Sequence, residues 1–257
     1  MSLSLTLSSS GFTLGEPQSA DCIKGGEGSM RLLLIAVVAF LLLAACGGEE
    51  GQELSVEEIV TQTTEKTSAL KGFHFIFSAE NAPTAGEGLS LTFAEGDLVV
   101  PDRLRADIAG SLSGVSLTSE LVIVGEEDFL KDPFRDEWRS FEIGTSPVAF
   151  FDPAKGVLAI IEGAKELEQA GSEEVGGADS YHLKGKVASR AITPILGNPP
   201  TERPVEVELW IGKEDFLLRR IRLRGPVLEG DPEDVVRTVE LSKFDETVEI
   251  EPPEVSE

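Results

Sequence analysis

The sequence predicts an α+β fold, with one long antiparallel sheet and helices lying against its apolar face. Apolar and polar side chains alternate residue by residue in many segments, which is typical of antiparallel strands with one solvated face. Short breaks rich in Gly, Pro and Asp separate these segments, as in hairpins. Only a few stretches have helical spacing, and no fixed-period repeat or second core is evident. The sequence therefore predicts one domain.

The first element is a helix followed by a strand. Ser55 and Glu58 have the spacing of a capping box, and no Gly or Pro follows until Gly72, which is expected to end the helix. The period then changes to two. Apolar residues that share one face of successive predicted strands include Phe73, Phe75, Phe77; Leu89, Leu91, Phe93; Leu104, Ala106, Ile108; Leu117, Leu121, Ile123; Val205, Val207, Leu209, Ile211; and Val235, Val239, Leu241.

Two helical stretches interrupt the strands. Asp152 and Pro153 have the chemistry of an N-cap and a first helical residue, and Gly171 is expected to end that helix. Between them, apolar residues repeat at helical spacing: Val157, Leu158, Ile161, Ala164 and Leu167. A strand is expected over 180–187 and a second, shorter helix over 191–196.

The N-terminal part has the features of an export signal. Residues 32–45 are an unbroken apolar run of 14 residues, whereas a membrane-spanning helix needs roughly 20. Arg31 precedes the run, and Leu-Ala-Ala-Cys, ending at Cys46, closes it, which resembles the lipobox of bacterial lipoproteins. The sequence thus predicts a signal peptide over 30–45, a lipid anchor on Cys46, a tether over 46–54 and a domain over 55–257. Residues 1–29 make a poor signal start, so we interpret them as a mis-called extension upstream of Met30.

Charge and cysteine content exclude several classes of protein. The formal net charge is −24, which argues against nucleic acid and against electrostatic docking on anionic lipid. Membrane attachment must therefore come from the anchor on Cys46. The only other cysteine is Cys22, in the leader, so no disulfide is available to the domain.

Few residues suggest chemistry. His74 and His182 have no second His or Cys near them in sequence, so we interpret both as strand residues satisfied by hydrogen bonds and predict no metal site. No nucleophile elbow, phosphate-binding loop or dinucleotide fingerprint is present, so we expect neither an enzyme nor a cofactor. The arginines at 219, 220, 222 and 224 could receive an anionic headgroup. We favour pairing with Glu206 and Glu208 across a hairpin.

Several segments, taken in order, resemble the LppX/LprA/LprF/LprG family of actinobacterial lipoproteins. The residues that carry the resemblance are the lipobox, 69–74, 88–91, 95–98, Asp132-Pro133, Trp138, 151–154, Gly177, 183–187, 207–211, 238–244 and Pro252-Pro253. Each piece is weakly specific, but together they span the chain from Cys46 to its end.

The resemblance implies a half-barrel sheet similar to that of the LolA/LolB lipoprotein carriers, with helices on its concave side and an apolar cavity between. It also implies a non-enzymatic, extracytoplasmic lipoprotein, held on the cell membrane by its anchor, that binds acylated lipids or glycolipids and carries or presents them in the envelope. A membrane exporter is a candidate partner, and we expect a monomer. The predicted cavity lining is Leu91, Phe93, Leu104, Ala106, Ile108, Leu117, Leu121, Ile123, Val157, Leu158 and Ile161. The alternative is an accessory lipoprotein that docks a protein partner and has a filled core.

Overall fold

The computed structural model describes residues 54–83, 89–140, 156–189, 192, 203–228 and 230–255, apart from the side chains of Leu89, Leu112 and Val157. The predicted extension, the signal peptide, Cys46 and nearly all of the tether lie outside these residues. So do Asp152, Pro153 and all of the predicted helix over 191–196 except Ile192, which is buried.

Helix α1 (Val56–Ser68) begins at the predicted capping box. The Glu58 carboxylate accepts a hydrogen bond from the backbone N–H of Ser55 at 2.9 Å, while the Ser55 hydroxyl accepts one from the Glu58 N–H at 3.3 Å. The hydroxyl and then the backbone N–H of Ser55 lower the pKa of Glu58, because both donate to its charged form. The helix buries Ile59, Thr63 and Thr67, which lie one turn apart on one face.

Within the described residues, eleven antiparallel strands form one open sheet, in the order β6-β5-β4-β3-β2-β1-β11-β10-β9-β8-β7. The first and last of these described strands pair at the centre of the sheet. This architecture confirms the predicted α+β class with a single antiparallel sheet. The strands are β1 (Gly72–Glu80), β2 (Leu89–Val99), β3 (Arg103–Leu112), β4 (Val115–Val124), β5 (Glu127–Lys131), β6 (Trp138–Ser140), β7 (Ala164–Val175), β8 (Ala178–Ala188), β9 (Pro204–Gly212), β10 (Leu218–Arg224) and β11 (Val236–Ser242).

One face of the sheet, which we call the inner face, holds the main core. Leu104, Ile123 and Leu209 on this face are each at most 1% exposed, and Ile59 of α1 joins the same cluster. The opposite, outer face carries the polar residues of the alternation, including both histidines. A sheet with one apolar face buries it against other elements, and here the helices supply part of that cover.

The second helix is shorter than the sequence predicts. Helix α2 covers Val157–Gly163 only, and the next residues form the edge strand β7. Ala164 pairs with Val187, and two irregularities in the ladder follow, between Lys165 and Glu168 and between Gln169 and Gly171. These bulges let Leu167 pack on the core from a strand, so its three-residue spacing from Ala164 does not indicate a helix here. Pairing with β8 satisfies the backbone of this segment and overrides its local preference.

Gly185 is required where β7 bulges. A Cβ on Gly185 would lie 2.7 Å from the carbonyl oxygen of Lys165 and 2.9 Å from Cδ2 of Leu167. Only glycine therefore lets the bulged strand approach β8 so closely.

A small second core lies on the outer face, and the alternation in the sequence does not predict it. Val122, Phe129 and Ile250 are all buried there, with Trp138 packed against them. The C-terminal segment after β11 crosses the outer face, since Arg103 Nη1 donates to the carbonyl oxygen of Ile250 at 2.6 Å. Because Val122 faces this second core, the apolar run of β4 continues through Val122 without the polar residue that alternation would place there.

Candidate functional site

The predicted lining residues of β3 and β4 share the inner face. Ala106 lies opposite Leu121, and Leu104 lies opposite Ile123. Ile108 is on the same side, and all five side chains are at most 8% exposed. The register of this hairpin brings them together because residues two apart on a strand point to the same face.

Helix α2 contributes to the same core. Leu158 and Ile161 are 3% and 1% exposed and belong to the cluster that contains the β3 and β4 residues. Ile160 is also fully buried, although the helical spacing did not single it out. The side chain of Val157 lies outside the described residues.

Leu91 and Leu117 lie at the margin of this core. Leu91 is partly buried and packs against it, whereas Leu117 is half-buried opposite Gly110. The predicted lining is therefore buried in the centre of the sheet and more accessible towards the β3–β4 turn.

Phe93 lies on the outer face, so its predicted place in the cavity lining is wrong. Leu91 pairs with Gly110 but Phe93 pairs with Ala109, so β2 contains a bulge at Thr92. Beyond the bulge the parity is reversed: Phe93 is 37% exposed on the outer face, and Ala94 is buried on the inner face. A one-residue shift moves every later side chain across the sheet, and nothing in the local alternation marks it.

The inner face extends well beyond the predicted lining. Ala94 and Leu98 of β2 also lie on the inner face. In the other half of the sheet, strands β8 to β11 supply most of the inner-face residues. Sequence alternation identifies most of these strand residues. Buried inner-face residues in that half include Leu183, Val187, Val205, Val207, Leu209, Ile211, Ile221, Leu223, Val239 and Leu241.

The core offers little catalytic chemistry. Its buried polar side chains on α1 are Thr63, which donates to the carbonyl oxygen of Ile59 at 2.8 Å, and Thr67. Among the described residues, no group of three or more His, Cys, Asp or Glu side chains is arranged to hold a metal ion. What this face presents is chiefly apolar surface.

Both histidines lie on the outer face and bind carboxylates. His74 Nδ1 is 2.8 Å from Asp97 Oδ1, and His182 Nε2 is 2.8 Å from Glu208 Oε2. His182 also stacks on Trp210, with ring centroids 4.4 Å apart. Their interpretation as satisfied strand histidines is confirmed.

Glu208 is the acceptor in that cluster. Burial alone would raise the pKa of Glu208, but hydrogen bonds from His182 and Lys184 outweigh it and leave the pKa below its ordinary value. The carboxylate therefore stays ionised between its two donors.

The arginine cluster follows the predicted register. Arg222 lies opposite Glu208 and Arg224 opposite Glu206. Arg220 Nε binds Glu240 Oε1 at 2.9 Å. Arg219 sits at a ladder irregularity and pairs with Asp215 instead. The predicted register is confirmed, but no ion pair of these arginines with Glu206 or Glu208 is seen among the described residues, and Glu208 is bound by His182 and Lys184 instead.

Comparison with known families identifies the chain. The family model described as LppX_LprAFG lipoprotein matches residues 55–250. The chain belongs to this family. No curated protein sequence matches it significantly.

Solved structures of LppX_LprAFG lipoproteins have the same fold. LprF from Mycobacterium bovis superposes with a TM-score of 0.63 at 17% identity, over 77% of this chain and 96% of that one. LppX from Mycobacterium tuberculosis gives 0.55 at 15% identity, over 77% and 100%. A LolA superfamily protein from Nitrosomonas europaea aligns at 12% identity and a TM-score of 0.27, over 74% and 93%.

Membership places the chain among the lipoproteins of the cell envelope. Within the described ranges, no helix is long and apolar enough to cross a bilayer.

Proposed function

We propose that this LppX_LprAFG lipoprotein is anchored by Cys46 on the extracytoplasmic face of the cell membrane. There it binds acylated lipids or glycolipids between the inner face of its sheet and its helices, and carries or presents them in the envelope. It does so without catalysis. The observation that carries the proposal is the continuous apolar inner face, which runs across the sheet from β4 to β8 and is met by α1 and α2.

An apolar face suits acyl chains energetically. Each buried CH₂ contributes about 0.8 kcal/mol, so a lipid with two or three chains needs no ionic contact to be held. The chain's net charge of −24 makes attraction to an anionic headgroup weak, which leaves the acyl chains as the recognised part.

The rival function is a lipoprotein that docks a protein partner and has a filled core. One observation favours it: Leu104, Ile123 and Ile161 are each only 1% exposed, as in an ordinary packed interior. Under our proposal, these side chains separate when a lipid enters between the sheet and α2.

Extraction of bound lipid distinguishes the two functions. The lipoprotein should be purified from its native envelope, washed free of loose lipid and extracted with organic solvent. Mass spectrometry should then find a multiply acylated lipid in roughly stoichiometric amount. Recovery of the protein without such a lipid, together with failure to take up a fluorescent acyl lipid, would leave only the rival.

A further inference from the structure

A groove of about 460 Å³ lies on the outer face, away from the core. Its floor is formed by β3 and β4, and the turn between β5 and β6 forms one wall. Phe93 and Phe134 line it and are 37% and 84% exposed. Both rings are thus accessible at one groove, and exposed apolar patches of this kind mark interaction sites.

The turn that presents Phe134 is held in place. Asp132 Oδ1 accepts hydrogen bonds from the backbone N–H groups of Phe134 at 2.9 Å and of Arg135 at 3.2 Å. These bonds, the first above all, lower the pKa of Asp132 and keep it ionised. Lys131 Nζ binds both carboxylates beside the turn, Asp136 at 2.7 Å and Glu120 at 2.8 Å. The exposed ring is thus presented on an ordered turn, so binding there would cost little ordering of the chain.

Beside the rings runs a row of like charges. Glu95, Asp107 and Glu120 lie directly opposite one another on β2, β3 and β4. Glu95 faces His74 Nε2 at 3.4 Å, and Glu120 is bound by Lys131 and, at 3.4 Å, by Arg105. Asp107, between them, is exposed and has no ion pair within the described part of the chain. Like charges opposite one another destabilise a sheet, so this row favours an incoming cation.

We propose that the groove binds a segment of a partner protein in which Lys or Arg stands next to an aromatic or large aliphatic residue. The apolar side chain lies between Phe93 and Phe134, and the cation reaches Asp107. The inference does not depend on lipid binding, because the groove and the core are on opposite faces of the sheet.

Charge selects this occupant over two others. Four carboxylates line the groove against one ammonium, Lys131, so an anionic membrane surface would be repelled. Arg105 pairs with Glu120 and Arg139 with Asp132, which neutralises part of the negative charge of the groove. Neither arginine pairs with Asp107. The chain's own tether carries Glu49, Glu50 and Glu53 and no basic residue, so it is repelled as well.

The test is fluorescence anisotropy with dye-labelled peptides of alternating Arg and Phe, titrated with the purified lipoprotein. Phe134→Ser should weaken binding by about tenfold or more, because it removes most of an aromatic contact. Asp107→Asn should weaken it severalfold, and more at low salt. Two matched controls should change it less than about twofold: Val115→Ser, an exposed apolar residue outside the groove, and Glu127→Gln, which removes the same charge elsewhere.

Three results would overturn the proposal. The first is that peptides with Glu in place of Arg bind equally well. The second is that the control variants weaken binding as much as the groove variants do. The third would come from Phe134→Cys, labelled with an environment-sensitive dye, in the lipoprotein reconstituted in phosphatidylglycerol vesicles. We expect no blue shift of its emission. A blue shift there would assign the exposed turn to the membrane instead of a protein.

Discussion

Asp231 and Arg237 form a buried, two-pronged ion pair. Arg237 Nη1 lies 2.7 Å from Asp231 Oδ2 and Nη2 lies 2.8 Å from Oδ1, and the two side chains are 8% and 0% exposed. Asp231 Oδ2 also accepts the backbone N–H groups of Val227 and Leu228 at 2.8 and 2.7 Å. One carboxylate therefore fixes the connection between β10 and β11. It also neutralises Arg237, which lies on the inner face of β11.

Replacing Asp231 with Asn should destabilise the domain strongly. It leaves the buried Arg237 without its charge partner, for which we expect a loss of about 3 kcal/mol in the free energy of unfolding near pH 7. Chemical denaturation monitored by circular dichroism measures this. The control is Glu233→Gln in the same connection, whose pair with Arg203 is 81% exposed on the glutamate side. It should lower stability by less than about 1 kcal/mol.

The same residue predicts a pH dependence. Burial alone would raise the pKa of Asp231, but the bonds from Arg237, Leu228 and Val227 outweigh it and hold the pKa below its ordinary value. A carboxylate with a lowered folded-state pKa stabilises fully above its unfolded pKa, and that contribution is lost as the pH falls through the folded value. The stability difference between wild type and Asp231→Asn should therefore shrink below about pH 4. A difference independent of pH would contradict this account.

The bulge in β2 can be tested with two neighbouring substitutions. Ala94→Asn places an amide in the inner-face core and should cost about 2 kcal/mol or more. Phe93→Asn changes a residue on the outer face and should cost less than about 1 kcal/mol. Thermal melting of both variants decides the parity. The reverse order of stabilities would restore Phe93 to the inner face.

Alternation alone located much of the core. It placed Leu104, Ala106 and Ile108 on one face of their strand and Leu121 and Ile123 on one face of the next, because a strand with one buried side must repeat every two residues. The hairpin register that opposes Glu208 to Arg222 followed from the short turn at 212–215. These features are local, so the sequence was sufficient.

Features set by distant pairing were not predictable. Leu167 fits a helix and a bulged strand equally well, and only the ladder with β8 decides between them. An arginine is expected at the surface, but Arg237 is buried because it pairs with the buried Asp231. The outer-face core depends on Ile250, which lies in a segment without periodicity.

That outer-face core yields a further prediction. Ile250→Ala should lower the free energy of unfolding by roughly 2–4 kcal/mol, because it opens a cavity against Val122 and Phe129. Val248→Ala, in the same segment but 36% exposed, is the matched control and should cost less than about 1 kcal/mol. Equal effects in denaturant titrations would mean that the C-terminal segment does not pack as described.

Anchoring through Cys46 is tested by Cys46→Ser. Serine cannot take the thioether-linked lipid, so the variant should remain unprocessed or, once cleaved, leave the membrane. Stable anchoring requires two acyl chains, and the net charge of −24 gives no second attraction. Fractionation of cells followed by mass measurement checks both outcomes. A cleaved serine variant that stays with the membrane at the wild-type level would refute the anchor.

Ala106→Trp tests whether the inner face opens for lipid. Ala106 is 3% exposed and lies opposite Leu121, so a tryptophan there projects from the inner face into the packed region that must open for a lipid. If that region opens readily, as proposed, the variant should melt near wild type and take up little fluorescent acyl lipid. In a permanently filled core the ring would overpack, at a cost of roughly 1–3 kcal/mol. Ala109→Trp, on the outer face of the same strand, should bind lipid normally. A stable Ala106→Trp protein that binds normally, or one that melts well below wild type, would exclude a cavity at this position.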